Sequence, residues 1–185
     1  MSELSVSLLF DLLNRPGPLW LVGIDLSEIN LNKVNLNGAT RSVSEANLHH
    51  TNLRRAELNR ADLGDADLSH ANLMSAFLAE ANLAWANLTG ARMSNVNLLK
   101  AYLAKADLSG ANLAQALLSQ ACLTGAVLAH ADLNWADLSE ADLAGADLRQ
   151  ADLSHANLRD ADLTHADLEG ANLSEATMPD GSLHA

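Results

Sequence analysis

From Ala46 to Asp180 apolar and polar positions follow a five-residue period, A-(D/N)-L-x-x, repeated twenty-seven times without interruption. Ala holds the first position of 25 repeats, with Thr51 and Val96 the exceptions, and Leu the third of 25, with Met93 and Met178 the exceptions. Self-similarity at a fixed period decides the architecture before any local propensity does. A five-residue step advances an α-helix by about 140° beyond a full turn, so the leucines would scatter around the cylinder instead of forming one stripe. Helix is excluded over this span, although Ala and Leu favour it. In an extended segment, Ala and Leu two apart share a side, but the next Ala lies three beyond the Leu and would flip across a straight strand. The chain must therefore turn a corner in every repeat. Gly, Ser, Thr, Asn and charged residues at the fourth and fifth positions, as in Thr89-Gly90, Ser109-Gly110 and Thr124-Gly125, suit a turn. The predicted element is a very short strand followed by a turn, with first and third positions inside and second, fourth and fifth positions facing solvent.

The flanks break the period. Leu4, Leu8, Leu9, Leu12 and Leu13 recur at helical spacing before Asn14 and Pro16. Residues 1–22 are expected to form a short N-terminal helical cap with a lead-in strand at Leu19-Trp20-Leu21-Val22, because an open end exposes core leucines and unpaired strand edges. Repeats then begin at Ile24-Asp25-Leu26, and the repeat domain is expected to span 23–180, with a tail at 181–185. Leu36 and Leu48 lie twelve residues apart instead of ten, so two residues are inserted between Asn37 and Glu45, as a corner loop or bulge.

Ala61-Asp62-Leu63, Ala131-Asp132-Leu133 and Ala171-Asn172-Leu173 are phrases that resemble the pentapeptide repeat family, over about four-fifths of the chain. The terminal Met178-Pro179-Asp180-Gly181-Ser182 is similar to the ending of cyanobacterial members of the heterocyst-differentiation type. The resemblance implies an all-β fold, a right-handed quadrilateral parallel β-helix with four repeats per coil. Residues twenty apart then stack at about 4.8 Å. It also implies a non-enzymatic scaffold.

Composition narrows the function. The net charge of -12 disfavours nucleic acid and anionic membrane and leaves a protein partner open. One cysteine, Cys122, excludes an internal disulfide framework. Met1-Ser2-Glu3 lacks a basic leader pattern and no apolar run reaches transmembrane length, so a cytoplasmic protein is expected. Residues 1–130 carry a net -2 and residues 131–185 a net -10. That acidic block permits mimicry of DNA, and some family members directed at DNA gyrase are understood in this way. Here the central residue is Leu with almost no Phe, and no large projecting loop interrupts the repeats, which separates the chain from that group.

Asp or Asn occupies the second position of 19 repeats, where a short polar side chain can accept from nearby backbone N–H groups and hold the corner. No paired base or nucleophile emerges from this pattern, so no catalysis and no cofactor are expected. His49, His50 and His70 share a corner of adjacent coils, and Asp132/Asp152, Asp142/Asp162 and Asp147/Asp167 stack, but neither set completes a zinc or calcium shell, and no metal is expected. The informative positions are those that break the second-position rule: Phe77, Tyr102, Leu117, Cys122 and Val127 project outward where acids and amides sit elsewhere. Phe77 and Leu117 share a face with Leu99, and Tyr102 and Cys122 share the next with Trp85 at its corner. Phe77, Trp85, Leu99, Tyr102, Leu117 and Cys122 are therefore the expected partner-binding patch. The expected function is a rigid scaffold offering that lateral surface to a protein partner, as a monomer or weak homodimer, in cyanobacterial regulation. The alternative is an acidic, DNA-mimicking modulator of gyrase.

Overall fold

The computed structural model describes residues 19–20, 25–32, 34–38 and 41–185. Two strands, β1 (Leu19–Trp20) and β2 (Arg41–Ser42), pair in parallel with Leu19 opposite Arg41. From there on, each side of the coil is held by a single parallel bridge at a second position, twenty residues from its neighbour: Asp62 to Asn82, Asp67 to Asn87, Asn72 to Arg92, Phe77 to Asn97. Four such ladders climb the molecule and make it a four-sided parallel β-helix. Face 1 carries Asp62, Asn82, Tyr102, Cys122, Asp142 and Asp162; face 2 runs through Asp67, face 3 through Asn72, and face 4 carries Glu57, Phe77, Asn97, Leu117, Asp137 and Asn157. Face 4 leads around a corner into face 1.

The backbone groups are shared between coils by position. The third-position N–H donates to the second-position carbonyl one coil on, as from Leu113 to Asp132 at 2.7 Å, and the fifth-position N–H to the next fourth-position carbonyl, as from Gln115 to Asn134 at 2.8 Å. The second-position N–H donates back to a first-position carbonyl, as from Asp132 to Ala111 at 2.9 Å. Every strand between the terminal coils therefore has a partner above and below, with no run longer than two residues. The apolar first and third positions fill the column, and Leu113, like Met93 and Leu133 one coil to either side, is fully buried.

Three early bridges, Asp25 to Asn47, Asn30 to Asn52 and Asn35 to Glu57, span 22 residues, whereas Ser42 to Asp62 and all later parallel bridges span 20. The two extra residues thus lie between Asn35 and Ser42, where Gly38 adopts φ 113°. The expected cap helix at residues 1–18 lies outside the described residues, and no described residue is helical. At the other end Thr177 bridges Leu183 antiparallel and the Met178 N–H donates to the Ser182 carbonyl. This tail covers one side of the last coil, whose Leu163, Leu168 and Leu173 are only partly buried.

Candidate functional site

The surface is made by the corners. Each corner is a four-residue turn closed by the next first-position N–H, as from Ala116 to the Leu113 carbonyl at 2.9 Å. The fifth-position residue, third in that turn, has positive φ from His50 through Glu175, for example Gln115 at 60° and Lys105 at 60°. Positive φ there, with negative φ before it, is the conformation of a type II turn. The second-position carboxylate or amide accepts from the fourth-position N–H: Asp132 from Asn134 at 3.1 Å, Asp137 from Ser139 at 3.1 Å, Asp152 from Ser154 at 3.0 Å. The Asp/Asn preference read from the sequence is thus an acceptor preference, and it satisfies a backbone donor that points away from the ladders.

Where the second residue is apolar, that acceptor is gone. At Phe77 the coil before supplies a substitute, Asn59 Oδ1, which accepts from the Ala79 N–H at 2.9 Å. At Tyr102, Leu117, Cys122 and Val127 no substitute exists among the described residues, and the N–H groups of Ala104, Ser119, Thr124 and Ala129 have no acceptor. The same repeats carry the exposed apolar side chains. Phe77 is 46% exposed, Tyr102 50% and Leu117 49%. The bridges place Phe77 and Leu117 two coils apart on face 4 with Asn97 between them, and Tyr102 beside Cys122 on face 1. Leu99 stands on the corner joining the two faces and is also exposed.

Two members of the expected patch sit differently. Cys122 is only partly exposed, with its sulfur 3.3 Å from Thr124 Oγ1. Trp85 is exposed on the far corner of face 1, where Lys105 Nζ lies 4.4 Å from its ring centroid. One exposed aromatic escaped the sequence reading. Trp135, on the corner between faces 3 and 4, stacks on His155 at 4.2 Å. The fifth-position rule that picks out Trp85 would have found it as well. An open depression of about 520 Å³ adjoins Phe77 and is lined by Asn37, Asn59, Arg60, Glu80 and Asn97 among others, with Arg60 and Glu80 paired at 2.9 Å.

The remaining clusters are structural. His49, His50 and His70 pack together with ring centroids 4.0–5.7 Å apart, and His49 Nδ1 lies 2.6 Å from Ser69 Oγ. Among the described residues no group of His, Cys, Asp and Glu has a geometry that would hold a metal ion. Nor is any described helix long and apolar enough to cross a membrane. In the acidic coils Arg149 spans two levels, 2.6 Å from Asp147 and 3.7 Å from Asp167, and its guanidinium holds the Asp147 carboxyl below the usual range.

The pentapeptide repeat model matches residues 44–78, 81–120, 106–143 and 141–178. The chain belongs to the pentapeptide repeat family. Membership brings with it the right-handed sense of the coil, in keeping with the crossover preference of parallel strands. Among solved structures, HetL of the cyanobacterium Nostoc sp. strain PCC 7120, described as involved in heterocyst differentiation regulation, is 32% identical, with 91% of this chain and 94% of that one covered and a TM-score of 0.46. Rfr23 of the cyanobacterium Cyanothece 51142 is 37% identical over 46% of this chain and 58% of its own, also at 0.46. QnrB1, a plasmid-mediated fluoroquinolone resistance protein, is 20% identical over 83% of this chain and 88% of its own, with a TM-score of 0.45. No curated protein matches the chain significantly.

Proposed function

We propose that this pentapeptide repeat protein is a non-enzymatic, cytoplasmic scaffold that presents faces 4 and 1, around Phe77, Leu99, Tyr102 and Leu117 with Trp85 and Cys122 at the margin, to a protein partner. The observation that carries the reading is that a single departure, an apolar residue at the second position, both exposes an apolar side chain and leaves a backbone donor open at the same corner. The corners that lose their internal acceptor at Tyr102, Leu117 and Cys122 bear, or adjoin, the exposed apolar side chains. An apolar patch on an otherwise polar surface marks an interaction site, and Tyr and Trp are enriched where binding energy concentrates. The protein acts as a monomer or weak homodimer, with the repeat domain extending over 23–180. Its relatives support a role in cyanobacterial regulation. The test is cross-linked capture from cyanobacterial lysate with wild type and a Tyr102→Asp/Leu117→Asp double variant side by side. Both substitutions lie outside the column and spare the fold, so identical captured partners would refute the patch.

A second reading rests on the acidic ladders, where Asp132 bridges Asp152, Asp142 bridges Asp162 and Asp147 bridges Asp167. Such stacked carboxylates support a DNA-mimicking modulator of gyrase. Salt-sensitive inhibition of supercoiling by the purified protein at stoichiometric concentration would favour it, and no effect would remove it.

A further inference from the structure

We infer that the partner segment seated on faces 4 and 1 is acidic, with its carboxylates taking the place of the missing second-position acceptors and its apolar side chains meeting Leu99, Tyr102 and Leu117. This deepens the reading above and rests on it. The net charge of -12 points toward a basic partner, but the local charges point the other way. Across 77–85, 97–105 and 117–125, the three levels of the patch, the sole acid is Glu80 and the bases are Lys100 and Lys105. Glu80 is already engaged. Arg60 contacts both of its carboxylate oxygens, at 2.9 and 3.1 Å, and together with the nearby Lys100 it holds that carboxyl below the usual range. Lys100 and Lys105 flank Tyr102 in sequence and both are exposed. The patch is thus a small basic island on an acidic column.

The backbone adds a second, independent demand for negative acceptors. The N–H groups of Ala104, Ser119 and Thr124 lack an acceptor among the described residues, whereas the equivalent donors at Asn134, Ser139 and Ser154 are each held by an aspartate Oδ1 at 3.0–3.1 Å. A partner Asp or Glu approaching the same donors would complete in trans the turn that Asp completes in cis. Charge-assisted bonds of this kind are stronger than neutral ones, and the two lysines add attraction from either side of Tyr102. Asp137 and Asp142, bridged to Leu117 and Cys122 from the next coil, repel an acidic segment and mark where the site ends.

The experiment is selection of a phage-displayed random dodecapeptide library on the immobilised full chain, followed by binding of the enriched synthetic peptides to wild type, Lys100→Glu/Lys105→Glu and Tyr102→Asp/Leu117→Asp. Circular dichroism melts establish that each variant is folded. The expected result is enrichment of acidic peptides containing apolar residues, with affinity reduced about ten-fold or more by the lysine reversal, because two exposed pairs turn from attraction to repulsion. The affinity should also fall at about 0.5 M salt. Neutral or basic enriched peptides, affinity unchanged by the lysine reversal, or no enrichment over an unrelated protein would each overturn the inference. Peptides lost by Tyr102→Asp/Leu117→Asp but kept by the lysine reversal would leave the patch standing and remove only its acidic partner.

Discussion

A pair of opposite substitutions at the fifth position tests whether the corners are built as described. Gln115 has φ 60°, is exposed, and its side chain makes no hydrogen bond, so Gln115→Gly changes the backbone preference and little else. A left-handed conformation costs an L-residue about 1–2 kcal/mol, which glycine avoids. Against this stands the larger conformational freedom of glycine in the unfolded chain, about 0.4–1 kcal/mol. The difference leaves Gln115→Gly more stable by about 0.5–1 kcal/mol, or about 1–4 °C in Tm for a chain of this size.

Gly110 supplies the reverse experiment. Its φ is 63° and a Cβ added there meets nothing within 4 Å, so Gly110→Ala introduces the same backbone penalty without a clash. It should lower stability by about the amount gained at Gln115. Gly110→Val should lose more, since positive φ is a true outlier for a β-branched residue. Asn95, at φ 57°, already tolerates this region, and Asn95→Gly should gain less than Gln115→Gly. Urea and thermal unfolding followed by circular dichroism report all four. Stabilisation by Gly110→Ala together with destabilisation by Gln115→Gly would refute the left-handed corner.

Other expectations concern the column and its acids. Leu113→Ala should cost about 2–5 kcal/mol by urea unfolding, since Leu113 is fully buried and held in register by its bond to Asp132; a loss below about 1 kcal/mol would mean the column collapses around the gap. Asp152 is held below the usual carboxyl range by the Ser154 hydroxyl first, then by the Ser154 N–H and the Asn172 amide. Its contribution is present above about pH 4 and lost as the pH falls through its lowered value in the folded state. Asp152→Asn should therefore flatten the acid side of the stability profile, and an unchanged acid limb would count against those bonds. Arg149→Gln leaves Asp147 and Asp167 facing each other unscreened, so its melting temperature should rise more steeply with added salt than that of wild type; equal salt dependence would show the bridge to be inert.

How much of this was legible in the sequence depends on which atoms do the work. The period of five forced a corner in every repeat, and parity then fixed which side chains point outward. Phe77, Tyr102 and Leu117 are accordingly exposed where the pattern puts them. The 22-residue bridges from Asp25, Asn30 and Asn35 are the structural form of the twelve-residue gap between Leu36 and Leu48. Trp135 is exposed from a fifth position, as Trp85 is, and lies outside the run of apolar second positions from Phe77 to Val127 that defined the expected patch. The unpartnered N–H groups of Ala104, Ser119 and Thr124 are backbone atoms, and no residue identity at those positions announces them. They become visible only as the shadow of the missing Asp or Asn two residues earlier.

The left-handed corner was hidden for a related reason. A turn of this type favours glycine at its third residue, yet that place is held by Glu, Arg, His, Lys or Gln in most repeats, with glycine at only some, such as Gly90, Gly110 and Gly125. Read for what is present, the position looks like ordinary polar surface. Read for what is missing, it is informative: among the described fifth positions with positive φ there is no Val, Ile or Thr, whereas the adjacent fourth position accepts Thr89, Thr124 and Thr164. Steric exclusion of β-branched side chains is what αL imposes on any non-glycine residue that occupies it. Each such corner is strained, and the second-position acceptor beside it offsets part of that strain by satisfying the turn's outward N–H. At Tyr102, Leu117, Cys122 and Val127 the strain remains while the acceptor is absent, and the first three of these lie in the patch. Those corners are therefore where a bound partner has most to contribute, and stabilisation of the column by the partner should be concentrated there.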